Sequence, residues 1–237
     1  MKSISINCDI GEGVGNEHEI MPFIQHCNIA CGGHAGDSES MTEMVKLAVQ
    51  NNVFIGAHPS YPDKVNFGRK SLVFDSERLI KSIRDQINHL IEVATIEGAK
   101  VTHIKPHGAL YNDVAKDAIL AKNFITAITP YKFEMALFVP FNSVIEMIAI
   151  ENGFTILYEA FADRNYNNDL SLLNRKDNNA LITDEQLVVE HVREMISTGR
   201  VNTVNNQKVE IKADIFCLHS DNKNAVSIVK ELIKLRS

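Results

Sequence analysis

Histidines and carboxylates recur where short apolar segments of this chain end, and these are the side chains that hold and move protons near neutrality. One segment delivers Asn7, Asp9 and Glu12; the next leads through Asn28 to His34 and Asp37; a third ends at His58; a fourth carries His103, Lys105 and His107. Further on, Glu159, Asp163 and Arg164 follow one apolar run, and His219 and Asp221 follow another. Two chemistries fit the set. In the first, one of Asp9, Glu12 or Asp163 is a base, with His58 or His107 as acid or transition-state donor, and no metal takes part. In the second, Asp9, His34, His58 and His107 supply the carboxylate and imidazole ligands that a divalent ion takes, although no H-x3-H or H-E-x2-H spacing links them locally. Lys105 and Arg164 are the natural cations for an anionic substrate, with Arg69 and Lys70 as further candidates on the 61–73 loop. Lys105 reads as a rim residue whose loss lowers turnover and spares the fold. His34, Glu159 and His219 complete the substrate-binding candidates. His18, His26, His89 and His191 read as structural residues on loops or helix faces.

Other motifs exclude more than they establish. Gly11, Gly13 and Gly15 read G-x-G-x-G after an apolar segment, without the final spacing of a dinucleotide fingerprint, and no G-x4-G-K-[ST] occurs. Any ATP used by this protein is therefore not held by a P-loop here. Cys27 and Cys31 are spaced C-x3-C, neither a zinc pair nor a redox pair, and with Cys8 and Cys217 they read as reduced, buried thiols. The net charge of −6 gives no global basic field for nucleic acid or an anionic membrane. No apolar run approaches the roughly 20 residues that span a bilayer. The opening MKSISINCDIGEG reaches Cys8 and Asp9 before a signal-peptide core forms, so a cytoplasmic location is expected.

The elements that must position these residues alternate in type. Strand-like runs cover Ser3–Asp9, Gln25–Cys31, Val53–His58, Val101–His107, Met135–Pro140, Thr155–Glu159 and Ala213–His219. Helical patterns fit Glu39–Gln50, a stretch from Ser76 to Gly98, Ala115–Ile128, Ser143–Glu151, Asp184–Thr198 and Asn222–Leu235. Thr183 or Asp184 can cap the fifth of these and Gly199 can end it. With 237 residues, 45% of them hydrophobic, and no linker, this predicts one α/β domain over 1–237 with a mostly parallel sheet. About seven strands suit a barrel better than an open sheet. All but the fifth deliver an ionisable group to the C-terminal rim, where βα loops build active sites. The 61–73 and 160–183 loops are long for plain connectors, which marks them as functional.

The blocks Asn7-Cys8-Asp9-Ile10-Gly11-Glu12, Asn28 to Asp37, Ile55 to Asp63, His103 to Asn112 and Glu159-Ala160-Phe161-Ala162-Asp163-Arg164, in that order, closely resemble the LamB/YcsF family. The resemblance implies a distorted (β/α) barrel of the glycoside hydrolase/deacetylase type. It also implies ring opening of 5-oxo-L-proline to L-glutamate coupled to hydrolysis of ATP, with Mg2+, and 5-oxoprolinase subunits B and C as partners, the nucleotide being held by this chain or by those partners. A stand-alone metal-dependent hydrolase or deacetylase, or a non-catalytic protein that only binds substrate, are the alternatives. The chain departs from the family at Ser220, where H-G-D is usual, at Leu170 in a D-G-x-L run, and at Asn179, where an Asn in the left-handed region is expected to close the loop as Gly would.

Overall fold

The computed structural model describes residues 4–236. In chain order the elements are β1 (Ile6–Ile10), α1 (Glu17–Ile20), β2 (His26–Ala30), α2 (Ser38–Asn51), β3 (Phe54–His58), α3 (Ser76–Ile96), β4 (Val101–Ile104), α4 (Gly108–Val114), α5 (Ala118–Ile128), β5 (Ala136–Pro140), α6 (Val144–Glu151), β6 (Ile156–Phe161), α7 (Glu185–Thr198), β7 (Arg200–Asn202), β8 (Lys208–Glu210), β9 (Ile215–Leu218) and α8 (Ala225–Leu232). The strands β1-β2-β3-β4-β5-β6-β9 pair in parallel and close into a barrel. Each anticipated apolar run contributes one barrel strand; Ser3 lies outside the described residues.

Helix starts follow local capping chemistry. Asp37 and Ser40 form a reciprocal box at α2, as Ser143 and Glu146 do at α6. Asp184 accepts from the Gln186 and Leu187 N–H groups, and Gly199 ends α7 in the left-handed region. The expected Ala115–Ile128 helix begins later, because Asp117 caps α5, and the preceding α4 was absent from the periodicity reading. The last helix begins at Ala225 because the Asn222 amide is engaged elsewhere, with Asp163 and the Ile182 carbonyl. The antiparallel β7–β8 pair, only three residues per strand, was not anticipated; runs so short carry no readable alternation.

Strand period two decides what enters the barrel. The fourth run keeps its ladder beyond β4, with Lys105 N–H on the Ala57 carbonyl and His107 N–H on the Pro59 carbonyl, each at 2.9 Å. His103, Lys105 and His107 therefore point inward at successive depths. His103 is deepest, 3.0 Å from Asn28 Oδ1 and stacked on Phe138. Gly56 makes room for it, since a Cβ there would lie 2.1 Å from His103 Nε2. His26 sits on β2 rather than on a loop or helix, stacked against Phe54 at the opposite end from the rim.

The 160–183 loop closes differently from the sequence expectation. Among the described residues its left-handed position is Leu170 (φ 65°), inside a turn closed by Asn167 and Ser171, while the Asn179 carbonyl accepts from Asn165 Nδ2 at 2.7 Å. A β-branched or γ-branched side chain resists this region, so family-like glycine would be the relaxed residue there. Ser220 has found a use of its own: its hydroxyl donates to the Asp9 carbonyl at 2.9 Å.

Two half-buried histidines make acid stability testable. Burial pushes the His26 and His191 imidazoles down to about 4. The unfolded chain, with histidines near the usual ~6.5, binds more protons between these values, so stability is full above that window and falls as pH drops through it. The melting temperature should therefore decrease between pH 7 and 4.5. His191→Phe, which keeps a ring beside Tyr166, should lessen the decrease; thermal melts showing an identical decrease would remove His191 from this role.

Candidate functional site

The C-terminal ends of the barrel strands open into a cavity of about 540 Å3. Asp9, Glu12, His58, Lys105, His107, Arg164 and His219 line it, whereas His34, Glu159 and Asp163 stand behind its wall. The rim expected from sequence is thus brought together, in two layers of contact with the cavity.

The lower tier is a buried polar network. Lys105 Nζ lies 2.9 Å from both Asp9 Oδ1 and Glu159 Oε1, with Cys217 Sγ at 3.1 Å. Asn28 donates to Asp9 Oδ1 and Asn7 Oδ1 at 2.7 Å each, and Asn7 donates to Glu159 Oε1 at 2.9 Å. Lys105 is 2% exposed. Burial alone would lower its ammonium, but the Asp9 carboxylate, with Cys217 and Glu159, raises it well above the ordinary lysine range. Burial would likewise raise the Asp9 carboxyl; His58 and Lys105 outweigh it and hold the group well below its usual value. The expectation of Lys105 as a free rim cation is corrected here: its charge is consumed by two carboxylates, and it supports the barrel interior.

The upper tier gathers imidazoles around Glu12. Its Oε1 is 2.9 Å from His34 Nε2 and 3.3 Å from His107 Nδ1. His58 Nε2 lies 3.0 Å from His107 Nδ1 and 3.4 Å from Asp9 Oδ2. Burial opposes ionisation of Glu12, yet hydrogen bonds from His107 and His34 keep its carboxyl far below the usual range. Burial pushes His34 down to about 4 and lowers His107 as well. The sequence paired Asp9 with these histidines as metal ligands. The structure puts Glu12 in that place, and groups Asp9 instead with Cys217 and His219.

Across the cavity, His219 Nδ1 is 2.8 Å from Asp163 Oδ1, whose other oxygen accepts from Asn222 at 2.9 Å. Asp163 is fully buried and orients the ring rather than meeting a ligand. Arg164 is also committed: its guanidinium donates to the Ala180 and Leu173 carbonyls and so holds the following loop closed. Arg69 and Arg175 reach the mouth beside Lys116 and Lys176, and both sit on Asp221 Oδ2, at 2.9 and 2.8 Å. They join the two long loops through one carboxylate. Lys70 is exposed and lies outside the cavity lining. Sequence reading missed Arg175, although the basic pair Arg175-Lys176 inside a long rim loop was a usable signal. It also missed Tyr111, on the unanticipated α4, whose phenol burial and the Glu159 carboxylate push up.

All four cysteines are buried free thiols, as expected. No helix among the described residues is long and apolar enough to cross a membrane.

Comparison with known proteins agrees with this geometry. Residues 4–236 match the LamB/YcsF family. The chain is 38% identical over 241 residues to a protein of Bacillus cereus (strain AH820) named as the A subunit of 5-oxoprolinase, covering 99% of this chain and 95% of the relative. A Haemophilus influenzae (strain PittEE) protein of the same name is 38% identical over 236 residues, covering 99% and 96%. The crystal structure of a lactam utilization protein from Thermus thermophilus superposes with a TM-score of 0.90 at 30% identity, covering 98% of this chain and 95% of that one.

The lower tier makes a direct prediction. Lys105→Met leaves Asp9 and Glu159 buried without their cation, and breaking a buried pair in this way costs about 3–5 kcal/mol. Urea unfolding at neutral pH should show a loss of that size. A loss below about 1 kcal/mol would mean that the ammonium is not what stabilises the two carboxylates.

Proposed function

The chain belongs to the LamB/YcsF family, and on that premise we propose that it is the A subunit of an ATP-dependent 5-oxoprolinase, opening 5-oxo-L-proline to L-glutamate. The observation that carries this reading is that two separate acid/base groups line one cavity: Glu12 with His58 and His107, and His219 held by Asp163. Hydrolysis of a lactam needs both, one to take a proton from water and one to give a proton to the departing nitrogen. The role in lactam metabolism is supported by the names of relatives that match almost the whole chain.

The lactam of 5-oxoproline is an unstrained amide, so opening it at neutral pH calls for activation. ATP supplies that by phosphorylating the lactam oxygen with release of ADP; one water then adds to the ring carbon and the C–N bond breaks, leaving an acyl phosphate of glutamate, and a second water hydrolyses that to phosphate and L-glutamate. In this scheme an imidazole of the Glu12 cluster, His58 or His107, accepts the proton of the attacking water while Glu12 fixes the ring. His219 protonates the ring nitrogen as it leaves, its tautomer fixed by Asp163. Arg69 and Arg175 at the mouth take the substrate carboxylate by exchanging it for Asp221. The cavity of about 540 Å3 is larger than a five-membered ring requires and leaves room for a phosphoryl group.

Magnesium-bound ATP falls to partner subunits B and C, since the chain has no P-loop. The two long loops, joined by Asp221, are the natural docking surface. A second reading, a hydrolase acting alone and without ATP, is favoured by the imidazole cluster.

Glutamate release from 5-oxoproline separates these readings. The isolated chain should release none with ATP and should become active when subunits B and C are added. Release by the chain alone without ATP would favour the second reading, and ATP-dependent release by the chain alone would remove the need for partners. His219→Gln should lower turnover of the reconstituted enzyme by about a hundredfold or more while leaving the melting temperature within a few degrees.

A further inference from the structure

We infer that Glu12, His34, His58 and His107 form a binding site for one first-row divalent cation of the zinc class, on the wall of the large cavity. The ligand atoms would be Glu12 Oε1, His34 Nε2, His58 Nε2 and His107 Nδ1, all within 4.8 Å of one another.

Hydrogen-bond direction gives the strongest argument. The outer nitrogen of His58, Nδ1, lies 2.8 Å from the Lys105 carbonyl, and the outer nitrogen of His107, Nε2, lies 3.0 Å from the Phe67 carbonyl. A carbonyl only accepts, so each outer nitrogen carries the ring proton. The inner nitrogens, His58 Nε2 and His107 Nδ1, face each other at 3.0 Å, with Glu12 Oε1 3.9 Å from the first and 3.3 Å from the second. Lone pairs and a carboxylate at such separations repel unless a proton or a metal ion joins them, and one proton joins only one pair. Outer nitrogens fixed on backbone carbonyls are also how metal-binding histidines are oriented.

Spacing and rigidity agree. Around an ion with metal–nitrogen distances near 2.0–2.1 Å, tetrahedral ligand atoms lie about 3.3 Å apart. The observed separations of 2.9, 3.0, 3.3 and 3.9 Å bracket that value. His34 and His107 stack at 3.5 Å with their planes 2° apart, and Phe67 packs edge-on against both. Gly68 lets its loop lie over this stack, since a Cβ there would come within 3.0 Å of His34 and of His107. The three rings are 2%, 1% and 6% exposed, so the ligands are held in place before any ion arrives. A single proton satisfies one pair of these atoms, whereas a divalent ion engages all four.

The donor set selects the metal. Three imidazoles and one carboxylate suit zinc and its neighbours rather than calcium or magnesium, which take oxygen ligands. The second grouping, Asp9 with Cys217 and His219, is a poorer host, because the Lys105 ammonium lies 3.1 Å from Cys217 Sγ and repels a cation.

The test titrates zinc chloride into the full chain, stripped with EDTA and dialysed, by calorimetry, and follows histidine side-chain nitrogens by 15N NMR. One ion should bind per chain, and the shifted resonances should include His58 Nε2 and His107 Nδ1 but not the ring nitrogens of His26 or His103. Glu12→Gln and His58→Ala should each weaken binding at least tenfold, while His89→Ala, at a half-buried histidine on α3 outside the cavity lining, should not. Absence of binding, equal binding by the cluster variants, or unshifted His58 and His107 at saturating zinc would each overturn the assignment. The NMR reading on the unaltered chain decides the matter if a cluster variant fails to fold. No substrate enters these measurements, so their outcome is separate from that of the lactam reading.

Discussion

The rest of the site depends on Lys105, a buried cation tied at both ends. Its ammonium holds Asp9 and Glu159, each at 2.9 Å, and its backbone carbonyl holds the Nδ1 of His58. One residue thus fixes the carboxylate at the floor of the cavity and the tautomer of an imidazole on its wall. Charges removed from water are tolerated only when paired and hydrogen-bonded. Here the pairing is completed by Asn7 and Asn28, which donate to the same two carboxylates from neighbouring strands. The polar layer is consequently rigid, and Asp9 is not free to swing toward a ligand.

That rigidity explains how the barrel sorts its ionisable groups by depth. His103 is closed in beneath Asn28 and against Phe138, where burial keeps it neutral and structural. Lys105 forms the middle, and His107 reaches the cavity. Three residues at the same period along one strand therefore have three different fates, set by distance from the mouth. The imidazoles nearest solvent are the ones available for chemistry.

The mouth itself is governed by an exposed contact of a weaker kind. Asp221 accepts from Arg69 on one long loop and Arg175 on the other. Pairs this accessible contribute little to stability, and an incoming carboxylate or phosphoryl group can replace Asp221 on the same guanidinium groups. Arg164 works beneath them, holding the second loop by its backbone carbonyls, so that Arg175 is presented at the edge.

The barrel was legible in the sequence because its causes are local: apolar runs of strand length, Asp184 and Ser143 at helix starts, Gly199 at a helix end. Period two also put His103, Lys105 and His107 on one face, and the recurrence of ionisable residues at strand ends located the rim. The pairing of charges was not legible. Whether Lys105 meets a substrate or meets Asp9 and Glu159 depends on residues 96 and 54 positions away, brought close only by barrel closure. The same holds for Glu12 displacing Asp9 beside the histidines, and for Arg164 turning to loop carbonyls while Arg69 and Arg175 face the mouth. Residue type and periodicity determine which side chains arrive at the rim; the distances among them, and hence which charges remain free, exist only once the strands have closed.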